Sequence, residues 1–417
     1  MQFGLFGSAA ARRAKGPEEA EFDSAEGFRD FIEYNVEAEA LSFHSSFVVE
    51  HHFTGYGQVS ATINLLTWLG ARTRRLRLGT AVMVLPWHNP VLLAEQAATL
   101  DLLSGGRLDF GIGKGYRYNE FAGFCVAIDE ADARFDEALG VIVKAWTADE
   151  PFSHRGRYWQ FDEIVVEPPT AQQPHPPIWM GAGSERSIRR VAAQGYNLLL
   201  GQYASPGDVA NSIAIYRSET EAQGRPFDPM QVAVTRAFFV CDSQAERAAA
   251  MERRLANRLR QLKLATTPDG TVHGGPDRAT GDPQAVNEAS AMYGNPDHIA
   301  ERLEQLRAAG AGYVLVNGGG SGGGVRGRSP LRPRSDAAFH RRSATARGGL
   351  IGEANPRLCF FRSPVGTVTA EAWNTHRVRD ARGARPRRLD PPARRSNPGG
   401  SRSPHAAARG VRHGRVP

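Results

Sequence analysis

The chain has 417 residues, of which 41% are hydrophobic and 23% charged, the composition of an ordinary globular protein. No segment approaches the roughly 18 consecutive apolar residues of a membrane span, so we expect no membrane association. The formal net charge of +7 is unevenly distributed: residues 321–417 hold 21 Arg, no Lys and five acidic residues, and residues 1–320 hold 30 basic and 39 acidic residues. An acidic body argues against a nucleic-acid-binding groove.

The first residues and the cysteines bear on the compartment in which the protein works. The sequence enters a strand-like segment directly, without the basic and apolar regions of a signal peptide. Cys125, Cys241 and Cys359 are far apart and odd in number, which fits neither a disulfide framework nor a paired-cysteine metal site. We therefore expect a cytoplasmic protein.

Eight short apolar segments alternate with helical patterns along residues 1–317. The predicted strands are residues 1–8, 46–52, 76–85, 107–113, 178–181, 197–201, 232–240 and 313–317. Because parallel strands buried on both faces are apolar along their length, this order predicts an α/β fold, a closed (β/α)8 TIM barrel. A surface hairpin near residues 151–167 is expected before the fifth strand.

The sequence after residue 317 has a different character. Residues 318–324 are mainly glycine and are typical of a linker, and residues 318–417 as a whole are rich in Arg, Pro, Ser and Gly. This composition predicts a disordered tail after a barrel domain of residues 1–317. Two explanations fit a basic tail without lysine: a shifted reading frame in a G+C-rich gene, which we favour, or a functional arm that tethers nucleic acid.

Glu50, His51 and His52 end the second predicted strand, the position at which barrel enzymes carry catalytic residues. Side chains alternate along a strand, so only one of the two histidines is expected to face the barrel mouth. Adjacent imidazoles converge poorly on one metal, and the spacing is not HExxH, so no metal site is predicted. His51 is a candidate catalytic residue, with a structural histidine as the alternative.

Two glycine-rich segments have the features of an anion site, although each alone also fits an ordinary tight turn. Residues 111–115 combine backbone N–H groups with Lys114, and Arg134 begins the next helical pattern. Residues 181–184 lead into a helix N-terminus, where unpaired N–H groups and the helix dipole favour an anion. Together the segments suggest a phosphate-bearing cofactor, and the missing GxGxxG pattern disfavours a nicotinamide-binding Rossmann unit.

Arg236 lies within the apolar run 232–240, where an unpaired guanidinium would be costly to bury. It is expected to face the barrel mouth or to have an acidic partner. Aromatic residues that follow strand ends, including Tyr116, have the shape to form walls over a planar ligand, with plain packing as the alternative.

Several ordered motifs follow one another along the chain: EHHFT at 50–54, LGTAVMVLP at 78–86, NPV at 89–91, LDLLSGGRLDFG at 100–111, GKG at 113–115, RFDEA at 134–138, PIWM at 177–180 and GYN at 195–197. Together they resemble the bacterial luciferase-like, flavin-dependent monooxygenase family. The resemblance covers about residues 1–317.

The resemblance implies a barrel that binds reduced FMN at its carboxyl face. His51 matches the catalytic histidine of the family, and Arg236 matches an arginine of sulfonate-oxidising members, although Phe238 stands where those members have histidine. The peptide bond between Ala81 and Val82 matches one that is often cis in the family. The residues implied to bind the cofactor are Phe6, Ala81, Val82, Lys114, Tyr116, Arg134, Gly181, Gly183 and Ser184.

These features predict a flavin-dependent monooxygenase, in which reduced FMN and dioxygen form a C4a-hydroperoxide that oxidises a small organic substrate. A separate NAD(P)H-flavin reductase would supply the reduced FMN, and the resemblance suggests a homodimer. Two alternatives keep the fold: an oxidoreductase that uses the deazaflavin coenzyme F420, and a flavin-binding protein without turnover.

Overall fold

A computed structural model describes residues 1–11, 23–273 and 282–317. The linker and tail predicted for residues 318–417, and the two explanations of the tail, lie outside these residues. No helix in the described ranges is long and apolar enough to cross a membrane.

The described residues form the predicted succession of strands and helices. The strands are β1 (Gln2–Gly7), β2 (Ser45–Val48), β3 (Arg77–Thr80), β4 (Met83–Val84), β5 (Leu108–Gly113), β6 (Phe152–Arg155), β7 (Gln160–Ile164), β8 (Ile178–Gly181), β9 (Asn197–Leu200), β10 (Val232–Val240), β11 (Met292–Gly294) and β12 (Tyr313–Asn317). The helices are α1 (Glu26–Ala40), α2 (Thr62–Arg72), α3 (Pro90–Ser104), α4 (Tyr118–Gly123), α5 (Ala131–Thr147), α6 (Glu185–Ala193), α7 (Pro206–Ala222), α8 (Gln244–Ala265), α9 (Pro283–Ser290) and α10 (Pro296–Ala308).

Eight parallel strands close into a ring in the order β1, β2, β3, β5, β8, β9, β10 and β12. The ring is closed by β12, which pairs with β1 from Gln2↔Tyr313 to Leu5↔Val316 and with β10 on its other side. Because every strand of a closed ring has two neighbours, no backbone edge is left open. The predicted TIM barrel is confirmed.

Local sequence signals set several helix starts. Asn89 accepts hydrogen bonds from the N–H groups of Val91 and Leu92 before α3. Ser205 caps α7 in the same way, through the N–H of Asp208. Each cap satisfies N–H groups that have no partner within the first helical turn.

Two layers of apolar side chains stabilise the barrel. Alternate residues of β12 point in opposite directions, so Val314 and Val316 join the large core between strands and helices, and Leu315 fills the barrel interior. Gly79 makes room for this interior layer, because a Cβ there would lie 2.3 Å from the ring of Phe47. The interior is therefore packed, and a ligand has to bind at an end of the barrel.

The hairpin predicted near residues 151–167 is present, formed by β6 and β7 in an antiparallel pair. Its tip is held against α5 by Glu137, whose carboxylate accepts hydrogen bonds from the backbone N–H groups of Arg157, Tyr158 and Trp159. The hairpin is thus fixed beside the first half of α5, the helix that also carries Arg134.

Candidate active site at the carboxyl end of the barrel

Strand β2 ends at Val48, four residues earlier than predicted. The chain then leaves the sheet, and the N–H of His51 bonds the carbonyl of Val59 instead of a neighbouring strand. The alternation expected for His51 and His52 in a strand therefore does not apply, and each histidine finds a carboxylate of its own.

Glu50 is the centre of a buried hydrogen-bond network just beyond β2. Its carboxylate, 1% exposed, accepts from the N–H of Val84 at 2.7 Å, from Nε2 of His88 at 2.7 Å and from Nε2 of His52 at 2.9 Å. Burial alone would raise the pKa of Glu50, but these hydrogen bonds outweigh it and lower the pKa to about 2. The network therefore holds an ionised carboxylate between two loops of the barrel mouth.

His51 belongs to a second network, which involves Glu120 of α4. Nδ1 of His51 lies 3.0 Å from Oε1 of Glu120, and the N–H of His52 donates to the same oxygen at 2.9 Å. Because a carboxylate can only accept, the proton of neutral His51 lies on Nδ1 and leaves Nε2 as an acceptor. Burial and the charge of Arg117 lower the pKa of His51 against the opposing effect of Glu120, which favours this neutral form.

Arg117 completes this group of residues. Its side chain is 2% exposed, and its Nη1 lies 3.9 Å from Oε1 of Glu120, too far for a hydrogen bond. The turn that leads to Arg117 passes through Gly115 at φ +75°, where a Cβ would lie 2.6 Å from Val84. Only glycine suits both the positive φ and this close approach, which directs Arg117 inwards.

The predicted cofactor platform lies on the interior layer of the barrel. Phe6, Ala81 and Val82 are partly buried against the interior cluster that includes Phe47 and Trp179. The peptide bond between Ala81 and Val82 is cis, as the resemblance implied. These three residues therefore form an apolar floor above a packed interior.

Open space lies beside the glycines at this end of the barrel. A Cβ built on Gly7, at the end of β1, or on Gly181 or Gly183, at the end of β8, would meet no atom within 4 Å. Ser184 caps α6 through a capping box with Ser187. The N-terminus of α6 is thus exposed next to an unfilled part of the mouth.

Both cations predicted to bind the phosphate are paired with carboxylates. Lys114 contacts Asp132 at 2.7 Å, and Nε of Arg134 donates to Glu130 at 2.9 Å. The guanidinium of Arg134 also lies over the ring of Tyr158, 4.4 Å from its centroid. The contact of Lys114 with Asp132 joins the loop after β5 to the start of α5, so the two cations lie at the same side of the barrel.

Arg236 is 2% exposed and bonds to main-chain oxygens. It donates to the carbonyls of Thr235 and Ala204, each at 2.8 Å, and no carboxylate among the described residues forms an ion pair with it. Burial, with the charges of Arg302 and Arg254, lowers the pKa of Arg236 to about 10. The acidic partner that the sequence suggested is therefore replaced by backbone carbonyls, which fix the loop after β9.

Tyr116 lies in the loop between β5 and α4, where it is partly buried. The guanidinium carbon of Arg117 lies 6.0 Å from the centroid of its ring.

Sequence reasoning assigned no role to Glu50, Arg117 or Glu120. Glu120 follows His51 by 69 residues and lies in a short helix without a clear period, so no local pattern could have paired the two. The described residues contain no group of three or more His, Cys, Asp and Glu side chains arranged to hold a metal ion.

The closed ring of strands, with polar side chains and open glycines at the carboxyl ends of the strands, defines a TIM-barrel protein whose candidate ligand site lies at that end. The family model for luciferase-like monooxygenases matches residues 1–312. The chain belongs to this family, whose members are oxidoreductases.

Individual relatives agree with this assignment. The chain is 31% identical to the flavin-dependent trigonelline monooxygenase, oxygenase component, of Acinetobacter baylyi, over 41% of this chain and 48% of the relative. It is 33% identical to an F420-dependent glucose-6-phosphate dehydrogenase of Amycolatopsis mediterranei, over 38% of this chain and 50% of the relative. The chain thus spans about half the length of these two relatives.

Among solved structures, the monooxygenase RslO1 from Streptomyces bottropensis superposes with a TM-score of 0.63 at 26% identity. The superposition covers 76% of this chain and 92% of that structure. The barrel of this chain is therefore similar to that of a solved monooxygenase.

Proposed function

We propose that the protein is a monooxygenase that uses reduced FMN and dioxygen to oxidise a small organic substrate. The observation that carries the proposal is His51, whose Nδ1 lies 3.0 Å from Oε1 of Glu120 at the end of the barrel where the apolar floor and the open glycines lie. The flavin-dependent monooxygenase among the relatives supports the same reading.

The residues of the mouth fit a flavin. Phe6, Ala81 and Val82 would support an apolar ring system, and Gly181 and Gly183 leave space beside it. Arg134, Lys114 and the N-terminus of α6 would hold the phosphate, with Arg134 exchanging part of its contact with Glu130 for the ligand. When bound, reduced FMN supplies the activation of dioxygen, and the barrel supplies orientation and a dry pocket.

His51 would take up or return a proton at Nε2. Glu120 fixes the ring and keeps the other proton on Nδ1. A general acid or base of this kind contributes about 10²–10⁴-fold to a rate. In this proposal Arg236 acts on the reaction by holding the loop after β9, and Tyr116 forms part of the wall above the floor.

Flavin titration tests the cofactor and its phosphate site. Under anaerobic conditions we expect reduced FMN to bind more tightly than reduced riboflavin, which lacks the phosphate. Arg134→Met should weaken FMN binding about tenfold or more, since hydrogen bonds to charged groups contribute about 1.5–3 kcal/mol, and should leave riboflavin binding unchanged. Arg155→Met, on the exposed hairpin, is the matched control.

Equal affinity for FMN and riboflavin would contradict the phosphate site. The F420-dependent relative supports a second candidate, a deazaflavin-dependent oxidoreductase. Binding of F420 without uptake of FMN would establish that alternative in place of the monooxygenase.

A second copy of the chain is the partner we propose for α2 and α3. These helices expose Trp68 (62%), Leu92 (52%) and Leu103 (70%), and large exposed apolar side chains on neighbouring helices are typical of an interface. We expect a homodimer in sedimentation velocity, converted to monomer by Trp68→Glu. Val165→Glu, at an exposed apolar residue elsewhere, should remain dimeric. A monomeric wild-type protein would overturn this part of the proposal.

Two further features belong to the same proposal. A separate NAD(P)H-flavin reductase would supply the reduced FMN, in keeping with the relative that is described as an oxygenase component. The cytoplasm would be the site of action, supported by the free thiols of Cys125 and Cys241.

A further inference from the structure

Arg117 is a buried cation whose hydrogen bonds are not made. Two of its nitrogens, Nε and Nη1, are buried and have no hydrogen-bond partner among the described residues. A guanidinium has five N–H donors and no acceptor, and leaving buried donors unpaired is unfavourable. Arg236, which is buried to the same extent, instead donates to two carbonyls.

The nearest carboxylate does not satisfy Arg117. Oε1 of Glu120 is 3.9 Å away and already accepts hydrogen bonds from Nδ1 of His51 and the N–H of His52. Glu50, the buried carboxylate just beyond β2, is committed to Val84, His52 and His88. Nε and Nη1 of Arg117 therefore have no acceptor among the described residues, and a bound ligand would supply one.

Arg117 also lies close to the proposed proton-transfer group. Its charge acts on His51, and both side chains meet at the carboxylate of Glu120. An acceptor bound by Arg117 would thus lie beside the pair of His51 and Glu120. The proposed phosphate ligands are other residues, Lys114 and Arg134, so the cofactor phosphate does not account for Arg117.

We propose that Arg117 is a specificity-determining residue that binds an oxyanion of the substrate, such as a carboxylate, next to His51. This inference rests on the proposed function for the presence of a substrate at this site. It goes beyond that function because it names the chemical class of the substrate: a small organic acid rather than a neutral compound. A carboxylate supplies several acceptor lone pairs and a full negative charge, which match the unpaired donors of a buried guanidinium.

Benzoate and benzamide are suitable probes, since they have nearly the same shape and differ in charge. Isothermal titration calorimetry should be performed on the protein without cofactor and again with oxidised FMN bound. Wild-type protein is expected to bind benzoate about tenfold more tightly than benzamide, in line with the strength of a hydrogen bond to a charged group. Arg117→Met should abolish this preference without changing the affinity for FMN.

Arg117→Lys keeps the positive charge and is the second variant, in which part of the preference should remain. Arg155→Met serves as the distant control. A wild-type protein that binds benzoate and benzamide equally would overturn the proposal, and this result does not depend on the folding of any variant. A parallel loss of FMN and benzoate affinity in Arg117→Met would also overturn it, because Arg117 would then bind the flavin.

Different results would contradict the proposed function and the proposed role of Arg117. If wild-type protein binds no FMN, the proposed function fails, and the preference for benzoate measured without cofactor still tests Arg117. If FMN binds but the two probes bind equally, only the assignment of Arg117 is wrong.

Discussion

Replacement of His51 by alanine is expected to lower the turnover number by about 10²–10⁴-fold, the contribution of a positioned acid–base group. The physical reason is that Nε2 of His51 is the acceptor left by the hydrogen bond between Nδ1 and Glu120. Turnover is measured as incorporation of isotopically labelled oxygen into members of a panel of small organic acids, with a flavin reductase present. The dissociation constant for FMN should not change.

His175→Ala is the control for this experiment, because His175 precedes β8 at the opposite end of that strand, where its Nδ1 donates to the carbonyl of Pro176. Glu120→Gln offers an intermediate case, since an amide can still orient the ring but carries no charge. Wild-type turnover in His51→Ala would remove His51 from the mechanism. Absence of labelled product with wild-type protein that binds FMN would indicate a flavin-binding protein without turnover.

Replacement of Glu50 by alanine is expected to lower the free energy of unfolding by about 3–5 kcal/mol, the loss typical of breaking a buried charged network. Without the carboxylate, the N–H of Val84 and the rings of His52 and His88 lose their acceptor inside the protein. Urea denaturation provides the measurement. Glu33→Ala, which removes an exposed ion pair with Arg72, should cost less than about 1 kcal/mol.

The contribution of Glu50 to the free energy of unfolding is expected to decrease as the pH falls. The pKa of Glu50 in the folded protein, about 2, lies below the ordinary value, so the folded state favours the ionised form. Its stabilisation is fully present above about pH 4.3, the pKa of an unperturbed glutamate, and is lost as the pH falls towards 2. The difference in unfolding free energy between wild type and Glu50→Ala should narrow over this range. A difference that stays constant down to pH 2 would contradict the role of the ionised carboxylate.

Sequence patterns predicted the scaffold well, because its elements are defined by local and repeated features. All eight barrel strands were found from apolar runs such as 232–240, and Asn89 and Ser205 are local signals of the same kind because each caps the helix that follows it. The resemblance to the luciferase-like family also led to the cis bond between Ala81 and Val82, since one peptide bond in a motif can be matched directly.

The site was predicted only in part. His51 was identified by its position near a strand end, yet its partner Glu120 and the neighbouring cation Arg117 were missed. For Arg236 the sequence left two expectations open, a place facing the mouth or an acidic partner, and the structure shows two carbonyls that accept from the guanidinium. A buried polar residue can be satisfied by many kinds of partner, and the choice is made by the loops that surround it.

The sequence alone thus determined the barrel and the family, because hydrophobic periodicity and ordered motifs are recorded along the chain. Only the tertiary structure decided which polar side chains meet: Glu50 with His52 and His88, and Glu120 with His51. These hydrogen bonds act over about 3 Å in space and can join residues that lie far apart in sequence. The periodicity of the sequence therefore does not show which residues form them.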